Sequence, residues 1–133
     1  FPPSGRLVLR KEVNQRVDID VVMQAIKVNV LSSYFAARKA HETIFKNRSD
    51  KSVAISYLNS ALSYSNTAYS VYVCHYDRLG RDDLDDYFHE LRTFVEEGLE
   101  CYRTDQSHQW TDIHFNRLTE KYNRIKTIVG IEG

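Results

Sequence analysis

The side chains able to do chemistry here are five histidines, two cysteines and a run of aspartates, and the first question is whether their spacing lets them act together. Histidine serves as a proton carrier near neutral pH and as a metal ligand. If the chain folds as helices that alternate in direction, His41 and His108 lie towards one end and His75 and His89 towards the other. At ~1.5 Å per residue these ends are about 30 Å or more apart, so no four-ligand set forms. His114 falls among apolar neighbours as a core or boundary residue, and His89 falls on a polar face beside Asp85. Asp86 with His89, and Asp105 with His108, have carboxylate-x-x-His spacing. A di-iron bundle, however, needs two Glu-x-x-His elements on different helices plus two more inward carboxylates, and the second helix has no carboxylate before Asp77. Asp82, Asp83, Asp85 and Asp86 crowd the start of a helix, where the positive end of the macrodipole favours them, and they lack the glycine and distal glutamate of a calcium loop. Cys74 and Cys101 have no Cys-x-x-Cys or Cys/His spacing and read as two buried thiols. No metal and no cofactor is expected.

The segment Arg103-Thr-Asp-Gln-Ser-His108 places a guanidinium and an imidazole at the junction of two helices. It resembles the RxxxxH element of HEPN-type ribonucleases, which are small helical bundles. The resemblance covers six residues and implies a metal-independent ribonuclease in which Arg103 steadies phosphate charge and His108 acts as general acid or base. Thr104 departs from the polar residue usual after that arginine. Arg38 and His41 are expected near the same end of the bundle. The plainer alternative makes Arg103 a cation at a helix C-terminus and His108 an exposed loop residue.

These residues must be carried by helices. A chain of 133 residues, 42% apolar and 27% charged, has the profile of one soluble globular domain that buries roughly two-thirds of its unfolded surface. Lysine plus arginine equals aspartate plus glutamate at 18 each, so no global basic field exists and nucleic acid is disfavoured as a partner. The absence of an 18-residue apolar run and of a signal-peptide pattern argues against a membrane, and the expected location is the cytoplasm.

Residues 1–17 begin with Pro2, Pro3 and Gly5, and their Leu7-Val8-Leu9 run is too brief for a helix by itself. They read as an N-terminal arm, either disordered or adding an extended segment to a partner; residues 18–133 form the bundle domain. Asp18 is a candidate N-cap for a first helix to about Lys46, with Ile19, Val22, Met23, Ile26, Val30, Ala37, Ala40 and Ile44 at three- and four-residue steps. A second helix follows Asp50 and runs to about Leu79, with Gly80 offering a left-handed end. The third spans about Asp83 to Tyr102, with Leu84, Tyr87, Phe88, Leu91, Phe94, Val95 and Gly98 on one face. The fourth spans about Gln109 to Val129, with Trp110, His114, Leu118, Tyr122, Ile125 and Val129 on one face and Gly130 after it. Four long helices with short connections predict an all-α, antiparallel up-down-up-down four-helix bundle with a short N-terminal arm.

The distinguishing feature is a surplus of apolar surface. Between Lys51 and Asp77 no side chain is formally charged, and two adjacent stripes cover more than the arc of ~100° that a surface helix usually buries. One holds Ile55, Leu58, Leu62, Tyr69, Val73 and Tyr76; the other holds Tyr57, Ala61, Tyr64, Ala68, Tyr72 and His75. Helix one carries Val21, Val28, Leu31 and Phe35 opposite its main stripe. Leaving each exposed forgoes roughly 1.5–3 kcal/mol of burial, so either the arm folds back over them or a second protein does. Tyrosine, with its large contact area and polar tip, suits an interface. The expectation is a non-enzymatic protein-binding bundle: a homo-oligomeric adaptor, or a small inhibitor, immunity-type or chaperone-type protein. Its partner-binding residues would be Val28, Leu31, Phe35, Tyr57, Tyr64, Tyr72 and His75. A ligand pocket inside the bundle, lined by tyrosines and His114, is a third possibility.

Overall fold

The computed structural model describes residues 4–46 and 50–132, with side chains described from Ile19 onwards. Among the described residues all regular structure is helical: α1 (Ser4–Lys46), α2 (Lys51–Cys74), α3 (Tyr76–Leu79), α4 (Asp82–Thr104) and α5 (Gln109–Val129). α1 does not start at Asp18. Its helical backbone begins at Ser4, inside the segment expected to be an arm, and makes a helix of 43 residues, about 64 Å long at ~1.5 Å per residue. Arg6 to Val17 contains no proline and several good helix formers, which is why the helix does not stop there. Asp18 therefore lies within the helix and not at its start. Residues 1–3, and the side chains of the rest of the expected arm, lie outside the described residues.

Each long helix gives the common core a seam spaced alternately three and four residues, the period of coiled-coil packing. On α1 it is Ile26, Val30, Ser33, Ala37, Ala40 and Ile44; on α2 it is Ala54, Leu58, Ala61, Ser65, Ala68 and Tyr72. On α4 Leu84, Tyr87, Leu91, Phe94, Gly98 and Cys101 follow the rule, and on α5 Thr111, Phe115, Leu118, Tyr122, Ile125 and Val129. α1 and α2 share the most extensive contact, because alanines and serines on both seams let the backbones approach closely. The core stripe of α2 thus falls between the two stripes read from its sequence. It takes Leu58 from one and Ala61, Ala68 and Tyr72 from the other.

Cross-helix pairs fix the register. His41 on α1 meets Asp112 on α5 at 2.7 Å, and Tyr34 meets Thr119 at 2.9 Å. His114 on α5 meets Glu90 on α4 at 3.0 Å, and Lys121 lies 3.9 Å from Asp86. Along the α1–α5 boundary Tyr34 stacks on Tyr122 with centroids 3.9 Å apart, and His41 stacks on Phe115 at 4.1 Å. Deeper in, the Tyr87 hydroxyl donates to Ser33 Oγ at 2.6 Å, and Ser33 donates to the Val30 carbonyl at 2.7 Å.

Burial pushes the Tyr87 phenol well above its ordinary value of 10.0. An unfolded phenol loses its proton above about pH 10 while the folded one keeps it. The stabilisation is complete below that pH and declines as pH rises, by ~1.4 kcal/mol for each further pH unit. Tyr87→Phe is expected to remove this decline. It is also expected to cost about 1–2 kcal/mol at neutral pH, since Ser33 keeps the Val30 carbonyl as its acceptor. Urea titrations at several pH values between 7 and about 11 check both; an identical alkaline slope in the two proteins would contradict the assignment.

The expected second helix breaks at His75, whose φ of −122° leaves helical geometry. The chain then turns so that the Tyr72 hydroxyl accepts the Arg81 N–H at 2.9 Å and donates to Asp85 Oδ1 at 2.9 Å. Tyr76 donates to the other Asp85 oxygen at 2.8 Å. Gly80 is not left-handed, with φ −57°. Its role is space, because a Cβ there would meet the Tyr76 carbonyl at 2.6 Å. The left-handed ends belong to Asp105 after α4 and Gly130 after α5.

Candidate functional site

On α1, the residues opposite the core seam form a second series at the same alternating spacing: Val21, Gln24, Val28, Leu31, Phe35 and Arg38. Val28 is 48% exposed, Leu31 45% and Phe35 53%. On α2, small side chains fill the close approach to α1, so the larger Val53, Tyr57 and Tyr64 remain outside at helical spacing and are also exposed. Two cations of its own helix approach the Phe35 ring. Arg38 lies 5.8 Å and Lys39 5.5 Å from its ring centroid, and both engage Glu42.

Two of the residues expected at this surface are placed differently. Tyr72 is fully buried, since its hydroxyl finds Arg81 and Asp85 at the α2–α4 turn while its ring packs 5.4 Å from Phe88. Burial, assisted by the Asp85 carboxylate, raises its phenol far above the ordinary range. His75 is half-buried at the α2 terminus, its Nδ1 3.1 Å from the Val71 carbonyl. Tyr57, Tyr64, Val28, Leu31 and Phe35 remain at the surface.

The alternative pair is engaged elsewhere. Arg103 is exposed and forks onto Glu100, donating through Nε at 2.9 Å and through a second nitrogen, which holds the Glu100 carboxyl below its usual range. His108 is not an exposed loop residue: it is 4% exposed, its Nδ1 3.0 Å from Thr111 Oγ1 and its ring against Tyr102. Among the described residues no group of three or more His, Cys, Asp or Glu side chains is gathered as metal ligands would be. No helix of the described residues is long and apolar enough to cross a membrane.

Several placements escaped the sequence. Trp110, expected in the core, is 56% exposed, and Phe115 fills the position instead. Glu90 is buried on the apolar face of α4, where His114 satisfies it; a carboxylate among Tyr87, Leu91 and Phe94 was the available sign of such a partner. Cys74, expected to be buried, is exposed, whereas Cys101 is buried. Burial raises the Cys101 thiol above its ordinary range. One thiol per chain is therefore expected to react with an aromatic disulfide reagent in the native state, and two in denaturant, because the thiolate is the reacting species. Fast reaction of both in the native state would contradict this.

Comparison with protein-family models, with curated proteins and with solved structures finds no match for this chain.

Proposed function

We propose that the chain is an antiparallel up-down-up-down four-helix bundle that works by binding protein through the outer faces of α1 and α2, and that its partner is a second copy of itself. The bundle reading is supported by the converging seams and by the pairs His41–Asp112 with Tyr34–Thr119 and His114–Glu90 with Lys121–Asp86, whose residue numbers run in opposite senses on the two helices.

The observation that carries the binding reading is the half-exposed Leu31, Phe35 and Val28 series on α1 together with the exposed Val53, Tyr57 and Tyr64 on α2. Aromatic side chains bury ~150–250 Å² each, so these strips together leave on the order of 500 Å² of apolar surface. That is at the upper end of what isolated soluble chains show and more than half of the ~800 Å² per partner in a standard interface. A helix face with alternating three- and four-residue spacing is complementary to another such face. A second copy supplies one by two-fold symmetry, and a chain with equal numbers of acidic and basic groups has no net charge to oppose the approach. Size-exclusion chromatography with light scattering tests this. The expected result is twice the mass of the chain at micromolar concentration, and a strict monomer at tens of micromolar overturns self-association.

A further inference from the structure

At ~1.5 Å per residue α1 is about 28 Å longer than α2, the next longest helix. The excess lies at its N-terminal side, because the short connection from Lys46 to Lys51 joins the two helices at the other end. Lys27 sits beside the end of α5, its Cδ 4.0 Å from where a Cβ on Gly130 would stand, and none of the residues from Ile19 to Ala25 is buried. Helical backbone from Ser4 to about Val21 therefore runs on past the core. On the premise of the self-association proposed above, we infer that this projecting segment lies antiparallel along the Val28, Leu31 and Phe35 strip of the second copy's α1, while the second copy's projection lies along the first.

Continuity of the helix decides which chain can cover the strip. Projection and strip belong to one unbroken helix, so the projection cannot turn back onto its own strip and reaches only that of another copy. The sequence pattern agrees. Leu9, Val13, Val17 and Val21 recur at four-residue steps and lead through Gln24 to Val28, Leu31 and Phe35, all within an arc of about 120° at ~100° per residue. The core register, followed back from Ile26 through Met23 and Ile19, meets Gln15 and Glu12 instead. Past the core, the helix thus carries on its outer apolar series and gives up its inner one.

An antiparallel pairing brings these positions into register. Position 9 stands opposite 35, 13 opposite 31, 17 opposite 28 and 21 opposite 24, and two-fold symmetry makes every pair occur twice. The axis passes near Val22, where the core ends, so the two bundles lie on opposite sides of it and do not compete for space. A buried leucine or valine removes about 60–120 Å² from water. Positions 9, 13, 17 and 21 therefore add on the order of 300 Å² to the ~500 Å² exposed on α1 and α2, reaching the ~800 Å² per partner of a standard interface. The rim is locally basic on both sides: Arg6, Arg10, Lys11 and Arg16 on the projection, Lys27, Arg38 and Lys39 along the strip. Apolar burial then drives the contact against like charge, and added salt screens the opposition.

Sedimentation of the full chain and its variants tests this arrangement. Val13→Gln with Val17→Gln is expected to weaken self-association by about tenfold or more with helical content kept, glutamine being at least as good a helix former as valine. Gln15→Ala, in the other register, is expected to change it by less than about twofold. In a Cys74→Ser background, Val13→Cys with Leu31→Cys is expected to form a disulfide-linked dimer on mild oxidation, and Val13→Cys alone is not. Raising salt from about 0.05 to 0.5 M should leave association equal or tighter. Crosslinking of Val13→Cys alone would make the pairing parallel and overturn the inference. Loosening by salt would also overturn it, moving the basic projection onto the acidic start of α4 at Asp82, Asp83 and Asp86. A parent chain that is strictly monomeric at tens of micromolar removes self-association and this inference together. A parent dimer that Leu31→Glu with Phe35→Glu dissociates, but Val13→Gln with Val17→Gln leaves intact, overturns this inference alone.

Discussion

Leu31→Glu with Phe35→Glu is expected to convert the proposed dimer into a monomer that keeps its helical content and thermal midpoint. Both side chains are about half exposed within one chain, so a carboxylate at either position meets water in the monomer and disturbs no core contact. In the proposed dimer the same carboxylates would face the apolar strip of the second copy. Losing the burial of two large side chains forgoes about 3–6 kcal/mol, which weakens association by roughly a hundredfold or more. Sedimentation velocity across a concentration series measures the shift, and circular dichroism checks the fold. Unchanged association in the double variant would move the interface off α1. A fold that collapses would mean that these residues are buried within the chain after all.

The second large effect is expected at the α2–α4 contact. Leu58 is fully buried, and both of its terminal methyls close over Gly98, at 3.0 and 3.2 Å from where a Cβ would stand. Leu58→Ala opens a cavity and is expected to cost about 2–5 kcal/mol, lowering the melting temperature by roughly 10 °C or more. Gly98→Val crowds the same space and is expected to cost about 1–3 kcal/mol, because Leu58 is enclosed and cannot swing aside. Since one change empties the volume the other overfills, the double variant should be more stable than the sum of the single losses implies, by about 0.5–3 kcal/mol. Strict additivity in urea unfolding would show that the two residues do not share that volume.

The helical class was legible because the recurrence of apolar residues at three and four positions is strong over long segments. The face of α4 from Leu84 to Gly98 is buried as its spacing predicted, and Gly130 ends α5 in a left-handed turn. α2 was harder for a physical reason. Apolar weight points to its bulky residues, Tyr57, Tyr64, Val73 and Tyr76, whereas close approach to α1 selects the small ones, Ala54, Ala61, Ser65 and Ala68. Hydropathy therefore detected the excess on α2 but misassigned which stripe is inside, and it placed Tyr72 at the surface. The start of α1 was misplaced because prolines and a glycine near the terminus outweighed the ordinary helix formers after them. Arg103 and His108 are near neighbours in sequence, but their partners, Glu100 on one side and Thr111 on the other, are set by helix ends that spacing alone does not orient.

The only tryptophan of the chain stands on the first turn of α5 with more than half of its surface open to solvent. Its emission samples water before and after denaturation alike, so a fluorescence melt excited at the indole band would pass over the loss of the core with little change. The rigid column of Tyr34 on Tyr122 and His41 on Phe115 holds its rings in a fixed asymmetric surrounding. Near-ultraviolet dichroism from the tyrosines is accordingly the optical signal that tracks native packing in this molecule.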